Sequence, residues 1–458
     1  MGRWQAQHDW VNRIDRATRH RPDADPSTGT HPIDAKTASA VVDLALRVSE
    51  LALRCGASAA DVTAFALTVA EAYRLPIDVD VTWTSITISY HRSGTSEPIT
   101  GFRSVRERSN DYQMLARLAL FVDAVAAGKI PLASAQEKFS VLKVSGRPYR
   151  GWVVAVANGV LSGGVAAMLG GGSQEIGLAA FSMVLVFLAQ SAFVKLGVAA
   201  FYQQIVGAAV PTAIGLGVMQ FREEVAWLNG VSSSIIVAAG MVGLLAGLGV
   251  VTAARDALEG SFITSAARTY DSIMSTGGIV VGVVVTLWAG VRLGVQGTIS
   301  PTAGVVEPAL WQAVVAGACS VAFAVICHVS PRSLLGCGLL GTIGYGSYLA
   351  VSPSFAYYPA AAAFGALAVG AGAQLVAWRW RVPVLALITT GIVALMPGMM
   401  LYRGLYYVIN SGAPMVATQL LLDAILTGVG LAAGSMLGSQ LVRPLVVPAR
   451  WRWRVSDE

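Results

Sequence analysis

The sequence predicts a polytopic α-helical membrane protein. Ten transmembrane helices form two inverted five-helix repeats, preceded by a small cytoplasmic α/β domain. Three observations predict this. The 458-residue chain is 55% hydrophobic and only 13% charged, against roughly 25% charged in an average soluble protein. Residues 34–150 hold 26 charged side chains in 117 positions, whereas residues 151–442 hold 17 in 292. The apolar region also resembles itself at an offset of 151–152 residues.

Residues 1–33 are basic, with Arg3, Arg13, Arg16, Arg19 and Arg21, and run into Pro22-Asp23-Ala24-Asp25-Pro26. Such composition predicts disorder, although Trp4, Trp10 and the arginines would also suit an anionic membrane surface. No apolar stretch of signal-peptide type occurs there. Residues 34–148 read as the α/β domain. Val41, Leu44, Ala45, Val48 and Leu51 recur at helical spacing across 38–54, and Gly56 suits a left-handed stop. Ser58 opens a second helix as a capping residue, with Asp61 three positions on. Residues 77–81 and 85–90 alternate with period two and predict two paired strands. Helices are expected at 110–127 and 133–143. His31 and His91 have no recognisable nucleophile or metal partner nearby, so a structural or regulatory role is expected.

Apolar segments of spanning length follow at 152–169, 177–194, 205–221, 231–251, 272–293, 310–329, 334–351, 355–377, 382–408 and 415–441. Gly170-Gly171-Gly172 and Gly215-Leu216-Gly217 are expected to allow close helix contact in lipid and do not read as phosphate loops. The expected units are 151–294 and 305–442, with a cytoplasmic basic tail at 443–458. With the N-terminus inside, twelve basic residues of the connections and tail fall on the cytoplasmic side, among them Arg147, Arg150, Lys195, Arg255, Arg268 and Arg332. Arg222, Arg292 and Arg403 fall outside. This bias places both termini in the cytoplasm and the protein in the plasma or inner membrane. The net charge of +6 follows from these arginines, so no nucleic-acid partner is expected. Cys55, Cys319, Cys327 and Cys337 have no metal-ligand spacing; neither metal nor cofactor is expected.

The repeat aligns Asp271-Ser272-Ile273-Met274, Gly278 and Gly282 with Asp423-Ala424-Ile425-Leu426, Gly430 and Gly434. Leu245-Ala246-Gly247 aligns with Met396-Pro397-Gly398, and Gly260 with Gly412. Five spans is an odd number, so the second copy must be inverted. Inverted repeats with broken helices are a recurring plan of secondary transporters. Pro397 removes a backbone donor and Gly398 relaxes the chain. The break then delivers Tyr402, Arg403, Tyr406, Tyr407 and Asn410. A kinked helix ending in an interfacial tyrosine belt with a snorkelling arginine is the plainer reading.

Several stretches together resemble the threonine/serine exporter family: Gly56-Ala57-Ser58; Val79-Asp80-Val81-Thr82 with Thr84-Ser85-Ile86-Thr87-Ile88-Ser89; Ala254-Arg255-Asp256-Ala257-Leu258-Glu259-Gly260; and Pro397-Gly398 with Tyr402-Arg403-Gly404-Leu405-Tyr406. The resemblance covers roughly residues 35–442. It implies a cytoplasmic N-terminal domain, ten spans, no cofactor, and efflux of small hydroxy-amino acids driven by protons. The family often has Pro-Gly in both repeats; this chain has Ala246-Gly247 in the first, which puts strict site symmetry in doubt.

A threonine or serine zwitterion needs partners for its carboxylate and its ammonium. Arg255 and Arg403 are candidate carboxylate donors. Asp256, Asp271 and Asp423 are candidates for the ammonium or for a proton. Asp423 lies well inside the last apolar segment. It is a proton carrier, an ammonium ligand or a structural partner of an arginine, and the sequence leaves these open. Arg255 and Asp256 are adjacent and suit a cytoplasmic gate or topology anchor. Asn158, Gln190, Asn410 and Tyr402 would add uncharged hydrogen bonds. Glu175, Glu223, Glu224 and Glu307 are expected in loops or at the outer surface. The reading is a secondary exporter of threonine/serine-type amino acids by proton antiport, with Pro397, Gly398 and Gly247 as helix breaks. The alternatives are an exporter of another small solute such as a dipeptide, or a membrane-anchored enzyme or sensor acting through the N-terminal domain. Homo-oligomerisation stays open.

Overall fold

The computed structural model describes residues 34–446 except 92–96, 106–107, 145, 245–246, 296–309, 355–356, 381 and 411–413. The expected disordered segment 1–33, Ala246, Glu307, Arg381, Gly412 and the tail from 447 lie outside the described residues, as does the side chain of Asn410. The chain divides into two compact units. One is Met1–Pro148 with Asp256–Ala267; the other is Tyr149–Arg255 with Arg268–Glu458.

The first unit is built on α1 (Ala35–Arg54), α2 (Ala59–Ala72), β1 (Asp78–Val81), β2 (Ser85–Tyr90), β3 (Ile99–Ser104), α3 (Tyr112–Ala126) and α4 (Leu132–Lys143). Val41, Leu44, Ala45, Val48 and Leu51 are all buried, as their spacing requires. Gly56 has φ +89°, a conformation that costs a side-chain-bearing residue energy. The Ser58 side chain accepts the Asp61 backbone N–H at 3.2 Å, a cap worth about 1 kcal/mol. The sheet is antiparallel in the order β1-β2-β3. Val79 pairs with Ile88, and Ile88 with Gly101. Ile86 and Ile88 are fully buried, each contributing about 1.5–3 kcal/mol relative to exposure.

Strand β3 was not among the expected elements. Its alternate positions Ile99, Gly101 and Arg103 include a glycine and an arginine where apolar residues would mark an inward face. Gly101 is needed because Leu46 and Val42 of α1 press on it; a Cβ there would lie 3.2 Å from Val42 Cγ1. Arg103 is held by α1 instead, at 3.0 Å from Asp43 Oδ1 and 3.0 Å from Glu50 Oε2. In the same unit, the Thr264 hydroxyl donates to the Val81 carbonyl at 3.4 Å.

The second unit comprises α5 (Gly151–Met168), α6 (Ser173–Lys195), α7 (Ala200–Phe221), α8 (Ser233–Leu244), most of α9 (Gly247–Leu258) and most of α10 (Phe262–Arg292). It continues with α11 (Leu310–Ile326), α12 (Leu334–Val351), α13 (Tyr358–Trp380), α14 (Val384–Gly391), α15 (Gly398–Asn410) and α16 (Pro414–Val446). Among the described residues, seven helices are long and apolar enough to cross a membrane, and eight if the bent pair α14–α15 is one span. Of the ten segments expected, α11 is a shorter apolar helix of 17 residues, and the described helical parts of 231–251 lie in α8 and α9. Large apolar side chains such as Trp152, Phe181, Val285 and Leu422 stand exposed on these helices, as a surface facing lipid requires.

Glycine sets the closest helix contacts. A Cβ at Gly278 of α10 would lie 2.7 Å from the Phe201 carbonyl of α7, and at Gly282 it would strike the Ile205 carbonyl. A Cβ at Gly430 of α16 would lie 3.0 Å from the Pro359 carbonyl of α13, and at Gly434 it would strike the Ala363 carbonyl. Both glycine pairs receive backbone atoms four residues apart on the partner helix. Such close approach is how small residues bind helices together in lipid.

Candidate functional site

The second half breaks where the sequence requires. Helix α14 ends at Gly391, a 3-10 turn covers Val393–Leu395, and Met396 is extended at φ −63°, ψ 143° before α15 begins at Gly398. The two limbs bend by 40°. A break in an apolar setting frees carbonyls that need a partner. One is supplied by Tyr358 of α13, whose hydroxyl donates to the Leu395 carbonyl at 3.3 Å.

Gly247, the first residue of α9, lies against this break. A Cβ at Gly247 would lie 3.2 Å from Met396 Cβ. Farther along, a Cβ at Gly428 of α16 would press on Val250 of α9. Gly404 lets α15 rest on α16, where its Cβ would lie 3.0 Å from the Leu421 side chain. Tyr402 is buried in one cluster with Met183, Val237, Met241, Leu244, Leu401 and Ala424. That cluster draws on α6, α7, α8, α10, α15 and α16, so Leu244, the last residue of α8, and Ala424, the neighbour of Asp423, share it with Tyr402.

Asp423 is half-buried on α16. Its Oδ1 accepts the Tyr357 hydroxyl at 3.1 Å, and its backbone carbonyl accepts the Thr427 hydroxyl at 2.7 Å. Arg403 is half-buried on α15. Asp271, the aligned counterpart of Asp423, is exposed on α10, so the two aspartates have different surroundings. The Asn158 amide is spent on its own helix, donating to the Val154 carbonyl at 2.8 Å. Gln190 donates to the Gln203 carbonyl at 3.4 Å. Arg255 and Asp256 fall in different units; Asp256 is buried within the first.

Other residues near these helices were not expected. Glu175 was expected at a loop or outer surface, and Glu223 and Glu224 are indeed exposed. Glu175 is instead buried in the first turn of α6 and accepts the Ser232 backbone N–H at 2.8 Å, at the start of α8. A carboxylate placed there satisfies an N–H that begins a helix and complements its dipole. A polar chain also crosses the second half. Buried Gln312 donates to the Met168 carbonyl at 3.3 Å and accepts the Tyr345 hydroxyl at 3.4 Å. Tyr345, Tyr348 and Tyr358 follow with ring centroids 5.4 and 5.3 Å apart. Aromatic residues in apolar segments read as lipid belt, so this ladder had no distinct signal.

In the first unit, a groove of about 480 Å³ is lined by Asp43, Glu50, Thr100, Phe102 and Arg103 among others. Its arginine is taken by the two carboxylates. Among the described residues no cluster of His, Cys, Asp or Glu could hold a metal ion.

Repeated spanning helices and a broken helix packed on a second helix start define a multi-pass helical membrane protein. Residues 43–289 match the family described as "Putative threonine/serine exporter", and residues 312–441 match that described as "Threonine/Serine exporter, ThrE". The "Probable threonine/serine exporter" of Mycobacterium tuberculosis is 30% identical over 444 residues, covering 94% of this chain and 82% of the relative. The "Threonine/serine exporter" of Corynebacterium glutamicum is 31% identical over 459 residues, covering 96% of this chain and 90% of the relative. The chain belongs to the threonine/serine exporter family. No solved structure matches it.

Proposed function

We propose that this protein is a secondary active transporter that exports threonine/serine-type amino acids by proton antiport. Its ten spans form two inverted repeats with both termini in the cytoplasm. Counting α11 and the α8–α9 pair as spans raises the eight to ten. What supports the repeat is the recurrence of one contact: the fifth helical segment of each half offers a glycine pair to the third.

The observation that carries the reading is the meeting of Gly247 with Met396. The start of α9 in the first half lies against the break of the second, and polar groups follow that break. A rocking of one half against the other would open and close the path there. Asp423 is the proton carrier, held by Tyr357 until it is protonated; a carboxylate inside a span is costly and suits that task. Arg403 receives the substrate carboxylate. Asp271 and Asn410 act on the path, and Arg255 with Asp256 at the cytoplasmic end. No enzymatic step and no metal or cofactor enters the cycle.

The test is counterflow of labelled threonine in proteoliposomes, competed by a panel of amino acids and dipeptides, with and without an imposed pH gradient. Threonine and serine should compete and the gradient should accelerate flux. Competition by dipeptides alone would point to a different solute, and indifference to the gradient would remove proton coupling.

A further inference from the structure

We propose that the Tyr402 hydroxyl reads the side-chain hydroxyl of the substrate and so sets the preference for hydroxy-amino acids. The inference rests on the exporter reading above and deepens it.

Tyr402 is 5% exposed, on the helix that starts at the second break. Its hydroxyl has no hydrogen-bond partner among the described residues. The surrounding cluster is aliphatic and thioether in character: Met183, Val237, Met241, Leu244, Leu401 and Ala424. An enclosed hydroxyl left unpaired is costly. Buried tyrosine hydroxyls ordinarily find a partner, and phenylalanine would fill the same space without that cost. The hydroxyls of Tyr345, Tyr357 and Tyr358 each reach an acceptor. Tyr402 differs in having no acceptor among the described residues, and it shares its cluster with Leu244 of α8. A solute passing beside the Pro397-Gly398 break would find this hydroxyl as a polar group among apolar neighbours.

A site whose polar group is completed by a substrate hydroxyl discriminates strongly against analogues that lack it, because the group is then left unpaired. Threonine and valine differ by that replacement of hydroxyl by methyl, and serine and alanine by its loss. A hydroxyl that both donates and accepts suits an alcohol, whereas the charged ends of the zwitterion need ionised partners elsewhere.

The test uses the full-length protein in proteoliposomes, comparing competition by threonine, valine, serine and alanine against labelled threonine. In Tyr402→Phe the threonine-over-valine ratio should fall by on the order of tenfold or more. The purified variant should unfold at the same or a higher temperature without substrate, and threonine should stabilise it less than it stabilises the parent. An unchanged threonine-over-valine ratio overturns the inference and leaves the exporter reading standing. A variant that fails to fold also overturns it, since the hydroxyl would then be holding the structure. If the parent protein carries neither threonine nor serine, the exporter reading itself fails and takes this inference with it.

Discussion

Gly247 and Met396 touch. One opens α9 in the first half and the other is the extended residue of the break in the second, and a Cβ on the glycine would come within 3.2 Å of the methionine Cβ. That spacing is tighter than ordinary van der Waals contact, so the absence of a side chain at 247 is what lets the two segments meet.

Gly247→Val should therefore push the breaks apart and lower threonine counterflow severalfold. Adding Met396→Ala in the same chain should restore part of the loss. Contacting residues couple by about 0.5–3 kcal/mol in double-mutant cycles. Additive effects of the two changes on flux would show that the contact carries no function.

Asp423→Asn should abolish threonine efflux driven by a pH gradient while the protein inserts at normal levels. Tyr357→Phe removes the hydroxyl that donates to Asp423 Oδ1 at 3.1 Å. It should alter the pH dependence of gradient-driven flux, because the carboxylate then lacks this donor. A parental pH profile in Tyr357→Phe would detach this hydrogen bond from coupling.

The glycine pairs make a stability prediction. Gly282→Leu and Gly434→Leu each drive a side chain into the carbonyl of Ile205 or Ala363, at a cost of about 3 kcal/mol or more. Gly217→Ala is the control, since nothing lies within 4 Å of a Cβ there, and alanine gains about 1 kcal/mol in a helix interior. Thermal unfolding in detergent should drop for both leucine variants and hold or rise for the alanine variant.

Cys55 of the α/β domain gives a pH prediction. Burial, with Asp111 adding and Arg54 opposing, pushes its thiol up from 9.0 to about 12. A chain with Cys319, Cys327 and Cys337 changed to alanine should resist maleimide at pH 8 until denatured, because the thiolate is the reactive form. The folded-state value is raised, so the unfolded chain ionises first. The thiol's contribution to stability is full below pH 9 and is lost as pH climbs toward 12. Rapid labelling of the folded protein at pH 8 would contradict this.

Much of the fold is legible because burial follows periodicity. The stripe Val41, Leu44, Val48 and Leu51 and the alternation of Ile86 and Ile88 each state which face is inside. Strand β3 escapes, since its inward positions hold Gly101 and Arg103, and only the neighbouring helix shows what they face. Glu175 escapes for a similar reason: a carboxylate next to a glycine turn looks solvated until Ser232, 57 residues away in sequence, brings its N–H to it. The tyrosines at 345, 348, 357 and 358 escape as well, because a sequence does not say whether an aromatic residue in an apolar segment faces lipid or another helix.

The sequence by itself determined the division into a charged domain and an apolar one, the helix break at Pro397-Gly398, and the family. Each rests on local chemistry: desolvation of charged groups, a missing backbone donor, and the order of residues along the chain. The tertiary structure alone decided that Gly247 meets Met396, that Tyr357 reaches Asp423 while Asp271 stays exposed, and that the Tyr402 hydroxyl is enclosed among apolar groups. These are distances between residues far apart in sequence. Packing fixes them, because close-fitting helices in an apolar medium tolerate few alternative registers and composition says nothing of which register is taken.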